Sequence, residues 1–342
     1  MAVVKPFRAL RYDQAVAGPL EDLVAPPYDV ISDEQRAELR ARSPYNVVHL
    51  TLPDSEEEAA RDLEDWHSNG VLVEEPPAVW ALEQDYVGPD GVARTREGVA
   101  ASVPVTRYAD GEVLPHERTH AGPKEERLRL LRATRAQLEP IFLLYDAEPI
   151  FARPPGEQVV DVTEGGVRTR MWPHAAGELT IEVPLLIADG HHRYETAVAY
   201  RAENPQATHT FAILVSSRAP GLEIFPTHRI VQRVGDVPGE RVDGPGDGIT
   251  LYRAGTYTRV ATDDAFGPRV VESFAPEGVS YTPSAEAAVA AVDRGEAAAA
   301  FLLQPVTVEQ VARFAQAGET MPQKSTFFFP KLTSGLLFHP VD

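Results

Sequence analysis

The sequence predicts a protein of the α/β class, an α+β arrangement built around a mixed sheet. Three observations carry that expectation. Apolar residues make up 43% of the chain and charged residues 24%, the balance of a globular protein and not of a disordered one. Segments with strand and helix periodicity alternate, separated by turns rich in Gly, Pro and Asp. The clearest unit is the apolar run Leu185-Leu186-Ile187-Ala188, followed by an Asp189-Gly190 turn and a helix with Tyr194, Ala197 and Val198 on its inner face. With 342 residues, and about 150 per domain, one to three domains are expected.

In chain order, Ser32 caps a helix over 33–42, and the apolar run 45–52 reads as a strand. Asp54 caps a second helix whose first turn, Glu56, Glu57 and Glu58, suits the positive end of the helix dipole. A hairpin follows, with strands over 79–87 and 98–108 around the turn 88–91. Pro123 opens a helix reaching about residue 137, with Leu128 and Leu131 on one side, and 141–145 is a strand. Residues 158–162 and 167–172 form a second hairpin, and 211–215 is the strand after the Asp-Gly unit. Gly and Pro crowd into 234–248, the best linker. Beyond it lie a helix over 284–294, a strand over 298–303, a helix over 308–317 and an aromatic, partly basic tail. The expected regions are an N-terminal α/β region at 1–110, a core at 111–235 and a C-terminal α/β region at 236–342 whose tail contributes to the site.

Charge and composition exclude several function classes. Thirty-two basic against 51 acidic residues give a net charge of −19, a poor match for nucleic acid, whose binding rests on neutralising phosphates. With no cysteine there are no disulfides, thiolate metal sites or cysteine nucleophiles. The first residues, MAVVKPFRALRYDQ, lack the apolar core of a signal peptide. The longest apolar runs, such as 297–303, fall far short of the ~20 residues that span a bilayer. A cytoplasmic protein without nucleic-acid or membrane partners is expected, and a homo-oligomer stays open. Only Lys5, Lys124, Lys324 and Lys331 are lysines, the other basic residues being arginine. Coding bias accounts for such a skew, yet arginine does not replace a compact ammonium everywhere.

Five segments could carry chemistry. Asp189-Gly190-His191-His192-Arg193 opens a helix, where amide hydrogens and the dipole favour phosphate. Gly190 permits close approach, His191, His192 and Arg193 add donors, and Asp189 could hold Mg²⁺ or orient a hydroxyl. The plainer alternative makes Asp189 the helix cap. His116-Glu117-Arg118-Thr119-His120 contains the zinc pattern HExxH, which needs His116 and His120 on one helix face and Glu117 as base to a metal-bound water. Pro115 before it and Gly122-Pro123 after it favour a loop, in which Glu117 could still act as a general base. His228 and Arg229 follow a short strand, the guanidinium offering a fork for carboxylate or phosphate. Lys324, Ser325 and Thr326 precede three phenylalanines that read as packing. Tyr28 and Asp29, after Pro26-Pro27, are most simply a turn.

The set Ala25-Pro26-Pro27-Tyr28-Asp29-Val30, Tyr45-Asn46-Val47, Leu114 to Thr119, Ala188 to Tyr194, Pro226-Thr227-His228-Arg229 and Met321 to Lys331 resembles, in order, a bacterial domain-of-unknown-function family (DUF1015). His120 lies outside that pattern. More distantly, Pro115-His116-Glu117, residues 125–131, 185–188 and Asp189 to Arg193 resemble the free serine kinases of the ParB/sulfiredoxin-like superfamily. That resemblance implies a ParB/sulfiredoxin-like nucleotide-binding core with N- and C-terminal additions. It implies ATP or ADP with its phosphates on Gly190, His191, His192 and Arg193, Mg²⁺ at Asp189, and catalysis by Glu117, Asp189 and His116. The expected reaction is phosphoryl transfer to the hydroxyl of a small metabolite such as free serine. Arg118, Thr119, His228, Arg229, Lys324, Ser325 and Thr326 are the candidates to hold that substrate. A non-catalytic nucleotide-binding regulatory module is the alternative, and a zinc hydrolase the third reading. Two departures stand out: about seventy residues separate Glu117 from Asp189, and the first hundred residues have no kinase counterpart.

Overall fold

In the computed structural model the described residues are 1–117, 121–150, 152–175, 177–264, 266–275 and 277–341, with backbone alone at 121 and 123. They fall into two compact units. The first takes the chain up to Pro115, most of the stretch to Leu222, and the tail from Pro330. The second takes His116, Glu117 and Glu223–Phe329.

The first unit is organised by a mixed sheet of eight strands. Their order is Val113–Leu114, Leu185–Asp189, Ile141–Tyr145, His209–Ser216, Ala93–Pro104, Val79–Val87, Val167–His174 and Val160–Glu164. Leu185–Asp189 runs parallel to Val113–Leu114 and antiparallel to Ile141–Tyr145, which is parallel to His209–Ser216. All five residues of Ile141–Tyr145 are buried, as an unbroken apolar run in mid-sheet should be. Both expected hairpins form, with Trp80 opposite Ala100 and Met171 opposite Val160. The core gathers Val99, Val103, Leu143, Ile187, Tyr194 and Leu214. Helices Ala121–Thr134 and His191–Glu203 meet through Leu128, Leu131 and Tyr200.

The helix Asp33–Arg42 carries the expected Ser32 cap, closed into a box by Gln35. Two local expectations are corrected. The run at 45–52 is a short helix over Val48–Thr51 and not a strand. Asn46 makes the difference: its side-chain oxygen accepts the Val48 amide at 3.0 Å, and its amide donates to the carbonyls of Asp22 at 2.8 Å and Val24 at 3.2 Å. The next helix, Glu56–Ser68, is capped by Ser55 and not Asp54. Asp54 instead accepts from Arg36 and Arg40.

The second unit holds a six-stranded antiparallel sheet in the order Gly239–Val242, Thr256–Val260, Thr250–Arg253, Ala299–Leu302, His228–Val231 and Val279–Thr282. Its core includes Val231, Leu251, Val271 and Phe301. Helices Ala285–Asp293 and Val308–Gln316 start at Ser284 and Thr307, whose hydroxyls accept the amides of Ala287 and Gln310. The Gly- and Pro-rich stretch taken as a linker contains the edge strand Gly239–Val242. A Cβ at Gly239 would lie 2.1 Å from the Arg259 carbonyl oxygen, so that glycine admits a neighbouring strand. No described helix is long and apolar enough to cross a membrane.

Candidate functional site

In the first unit, the strand Leu185–Asp189 carries four buried apolar residues into the sheet and ends on Asp189. A register shift after Ile187 sets Asp189 opposite Phe142, the kind of irregularity that re-aims a side chain. Gly190 follows in the left-handed region, φ +90° and ψ 31°, and begins the helix His191–Glu203 without a side-chain cap. A Cβ there would meet Arg193 Nε at 3.0 Å, so both backbone angle and space call for glycine. The alternative of Asp189 as helix cap is corrected by its partners. Oδ1 accepts from Lys331 Nζ, and Oδ2 accepts from Arg193 Nη2 at 2.7 Å. Arg193 is buried and also donates through Nη1 to the Pro140 carbonyl.

The charges at this turn support one another. Burial pushes the Asp189 carboxyl upward, but the Lys331 ammonium and the Arg193 guanidinium outweigh it and hold it well below the ordinary carboxylate range. Burial opposes the charge on Lys331, and Asp189 more than offsets it, so the ammonium persists above its usual range. The two shifts describe one ion pair from both sides.

More buried polar groups gather in this unit. Glu139 accepts the Tyr28 amide at 3.1 Å and the Ser334 hydroxyl at 2.6 Å. Arg127 lies 4.3 Å over the Tyr28 ring and donates to the Thr51 carbonyl at 2.6 Å. Burial lifts the Tyr28 hydroxyl to about 12, against the pull of Arg193 and Arg127, so the phenol is neutral at working pH. Asp29 adds negative field at Lys331.

In the second unit, His116 and Glu117 meet the segment 321–326. The Met321 amide donates to the His116 carbonyl at 2.8 Å, and Glu117 forms a parallel bridge with Met321. Glu117 Oε1 accepts the Lys324 amide at 2.7 Å, with Lys324 at a left-handed φ of 54°. His116 Nε2 lies 3.1 Å from Thr326 Oγ1, and the Ser325 hydroxyl donates to the Pro322 carbonyl at 2.6 Å. Arg229 donates to the Thr227 carbonyl at 2.6 Å and to the carbonyls of Gln323 and Lys324 at 3.4 Å, with its cation 5.3 Å from the Tyr281 ring centre. His228 is buried, and its Nδ1 accepts the Leu303 amide at 3.1 Å.

The residues singled out in the sequence therefore fall into two sets. Asp189, Gly190, His191, His192 and Arg193 belong to the first unit. His116, Glu117, His228, Arg229, Lys324, Ser325 and Thr326 belong to the second, and Arg118, Thr119 and His120 lie outside the described residues. His116 and Glu117 precede the helix Ala121–Thr134 and are not helical, so the spacing a zinc site needs is lacking at its first two residues. A magnesium ion fits Asp189 poorly, because both carboxylate oxygens already face cations and Mg²⁺ asks for an open oxygen. Sequence reading missed Glu139 and Arg127 altogether. Lys331 had a faint signal in the scarcity of lysine.

The profile of the family described as "Protein of unknown function (DUF1015)" matches residues 4–242. No curated protein matches the sequence. Among solved structures, C-terminally truncated SbnI from Staphylococcus aureus is similar with TM-score 0.43 and 13% identity, covering 69% of this chain and 85% of that one. A free serine kinase in complex with AMP gives 0.40 and 16%, over 70% and 92%. A conserved hypothetical protein from Pyrococcus furiosus gives 0.39 and 14%, over 70% and 95%. Likeness this loose carries no argument about function.

Proposed function

Because the chain belongs to the DUF1015 family, whose description assigns no activity, the reaction must be read from its own residues, and we propose a nucleotide-dependent phosphotransferase acting on the hydroxyl of a small metabolite. The observation that carries this reading is the Asp189–Lys331–Arg193 cluster where a buried strand meets a helix starting on a left-handed glycine. The helix start favours an anion through its first-turn amides and dipole. Lys331, with 26% of its side chain exposed, brings a compact ammonium whose charge Asp189 secures. Arg193 is occupied by Asp189 and Pro140, so its part is to fix the carboxylate.

Phosphoryl transfer asks a protein chiefly for positioning and charge stabilisation. Lys331 would serve at the phosphates where a metal ion serves elsewhere. The resemblance at Pro115-His116-Glu117 supports Glu117 as the proton acceptor, a step contributing typically ~10²–10⁴-fold. Phosphorus NMR of the protein with ATP or ADP and a panel of hydroxy acids tests the reaction, and a new phosphomonoester resonance is expected. Glu117→Gln should suppress that resonance while nucleotide binding persists, and Asp189→Asn should remove both. Saturable nucleotide binding without a phosphorylated product would favour the regulatory-module reading. Absence of nucleotide binding would overturn both.

A further inference from the structure

In the first unit, Glu58 and Asp62 stand four residues apart on the helix Glu56–Ser68 and so share one of its faces. The short helix Val48–Thr51 before it carries an imidazole, His49, to the same place. One ring nitrogen of His49 and one carboxylate oxygen from each of Glu58 and Asp62 all lie within 4.8 Å of one another, and the three side chains are half-buried. No other three histidine or acidic side chains come so close among the described residues. The imidazole is anchored from outside the group: Nε2 lies 3.3 Å from the Ser43 carbonyl oxygen and 3.4 Å from that of Arg40. A histidine tied to backbone carbonyls through one nitrogen is set to offer the other to a metal. Charge points the same way. Arg36 serves Asp54, and Arg40 divides itself between Asp54 and Glu58 at 3.2 Å to each. Glu58 takes that bond on Oε1, and Asp62 accepts no hydrogen bond among the described residues. Burial and the Glu58 charge push the Asp62 carboxyl upward against the weaker pull of His49, Arg40 and Arg61, as for a carboxylate short of positive charge.

We propose that His49, Glu58 and Asp62 bind a divalent transition-metal ion of the zinc type. The donor set decides the class. An imidazole with two carboxylates suits zinc, which takes nitrogen and oxygen at ~2.0–2.2 Å, whereas magnesium and calcium ask for oxygen alone. Tetrahedral bonds of that length set neighbouring donors roughly 3.4 Å apart, so the side chains have at most about 1.4 Å to close. Three protein ligands leave the fourth position to water. The ion would clip the two helices together. Thr51, the last residue of the shorter one, accepts from the buried Arg127, so the clip would brace that contact as well. The site shares no residue with the Asp189–Lys331–Arg193 cluster and stands whether or not the protein transfers phosphate.

Calorimetric titration of the metal-stripped full chain with zinc chloride tests the proposal, beside the variants His49→Gln and Asp62→Ala. Each variant should weaken zinc affinity by about tenfold or more. Cobalt(II) in place of zinc should give the strong visible absorption of a tetrahedral ion, which both variants should lose and a large excess of magnesium should leave unchanged. Zinc should raise the melting temperature of the wild type more than that of Asp62→Ala. Asp62 makes no hydrogen bond on which the fold depends, so Asp62→Ala keeps the test open if loss of the His49 anchor prevents folding. Absence of submillimolar zinc binding overturns the proposal. So does equal binding by wild type and Asp62→Ala, which would seat the ion elsewhere, or magnesium competing with zinc on equal terms.

Discussion

Asp189 lies between two cations, and removing either side of that arrangement has unequal consequences. Asp189→Asn leaves Lys331 and Arg193 against a neutral amide and should destabilise the protein by roughly 3–5 kcal/mol, the range for breaking a buried pair. Lys331→Met leaves the carboxylate its Arg193 partner and should cost less, about 1–3 kcal/mol. Urea unfolding of both variants checks the order. The pH dependence follows from the shift directions. The folded pKa of Asp189 is depressed, so its contribution is complete above the unfolded value of about 3.9 and disappears as pH falls through the folded value. The folded pKa of Lys331 is raised, so its contribution is complete below about 10.4 and is lost as pH rises through the folded value. The stability gap between wild type and Lys331→Met should accordingly stay level across neutral pH. His228 offers a separate test. Burial depresses its pKa, keeping Nδ1 free to accept the Leu303 amide. That support is present above about 6.5 and should fall away as the solution is acidified through the folded value, a limb that His228→Asn would lack. Glu139 and Arg127 left no mark in the sequence, because a buried charge is recognised only by what packs around it.

Two elements illustrate how far local pattern reaches. Strand, turn and helix at 185–203 were legible, since an unbroken apolar run, an Asp-Gly turn and a helical stripe all agree there. Gly190→Ala should destabilise this junction by about 1–3 kcal/mol, through its positive φ and the crowding of Arg193, as thermal unfolding would register. The run at 45–52 was misread because a short apolar stretch has no period of its own, and Asn46 decided its form through bonds to residues more than twenty positions earlier. Asn46→Ala leaves the Val48 amide and the carbonyls of Asp22 and Val24 without their side-chain partner. A loss of roughly 2–4 kcal/mol is expected in denaturant unfolding, with the circular-dichroism spectrum of the folded state nearly unchanged.

Across the whole molecule, the net charge of −19 sets a repulsive field for any nucleotide, while the local cations attract it. Added salt screens the distant field more than the buried pair. Stopped-flow association of ATP should therefore quicken as ionic strength rises toward ~0.15 M, opposite to a basic pocket, and a slowing would contradict the proposed site. The composition foretold the class of fold. It could not foretell that 234–248 is folded into a sheet, nor that the chain returns at Pro330 to the first unit. Such long-range closure leaves no periodic trace.

That return has a consequence for how the protein is made. Ser334 pairs with Ala25, Phe338 with Leu10 and Val341 with Arg135, so the late segment laces together pieces synthesised long before it. Asp189 leaves the ribosome 142 residues before Lys331 does. Until translation has passed that point, the nascent carboxylate has one counter-ion instead of two. A message cut short before residue 331 yields a chain whose charged centre is unfinished, with Asp189 left to Arg193 alone.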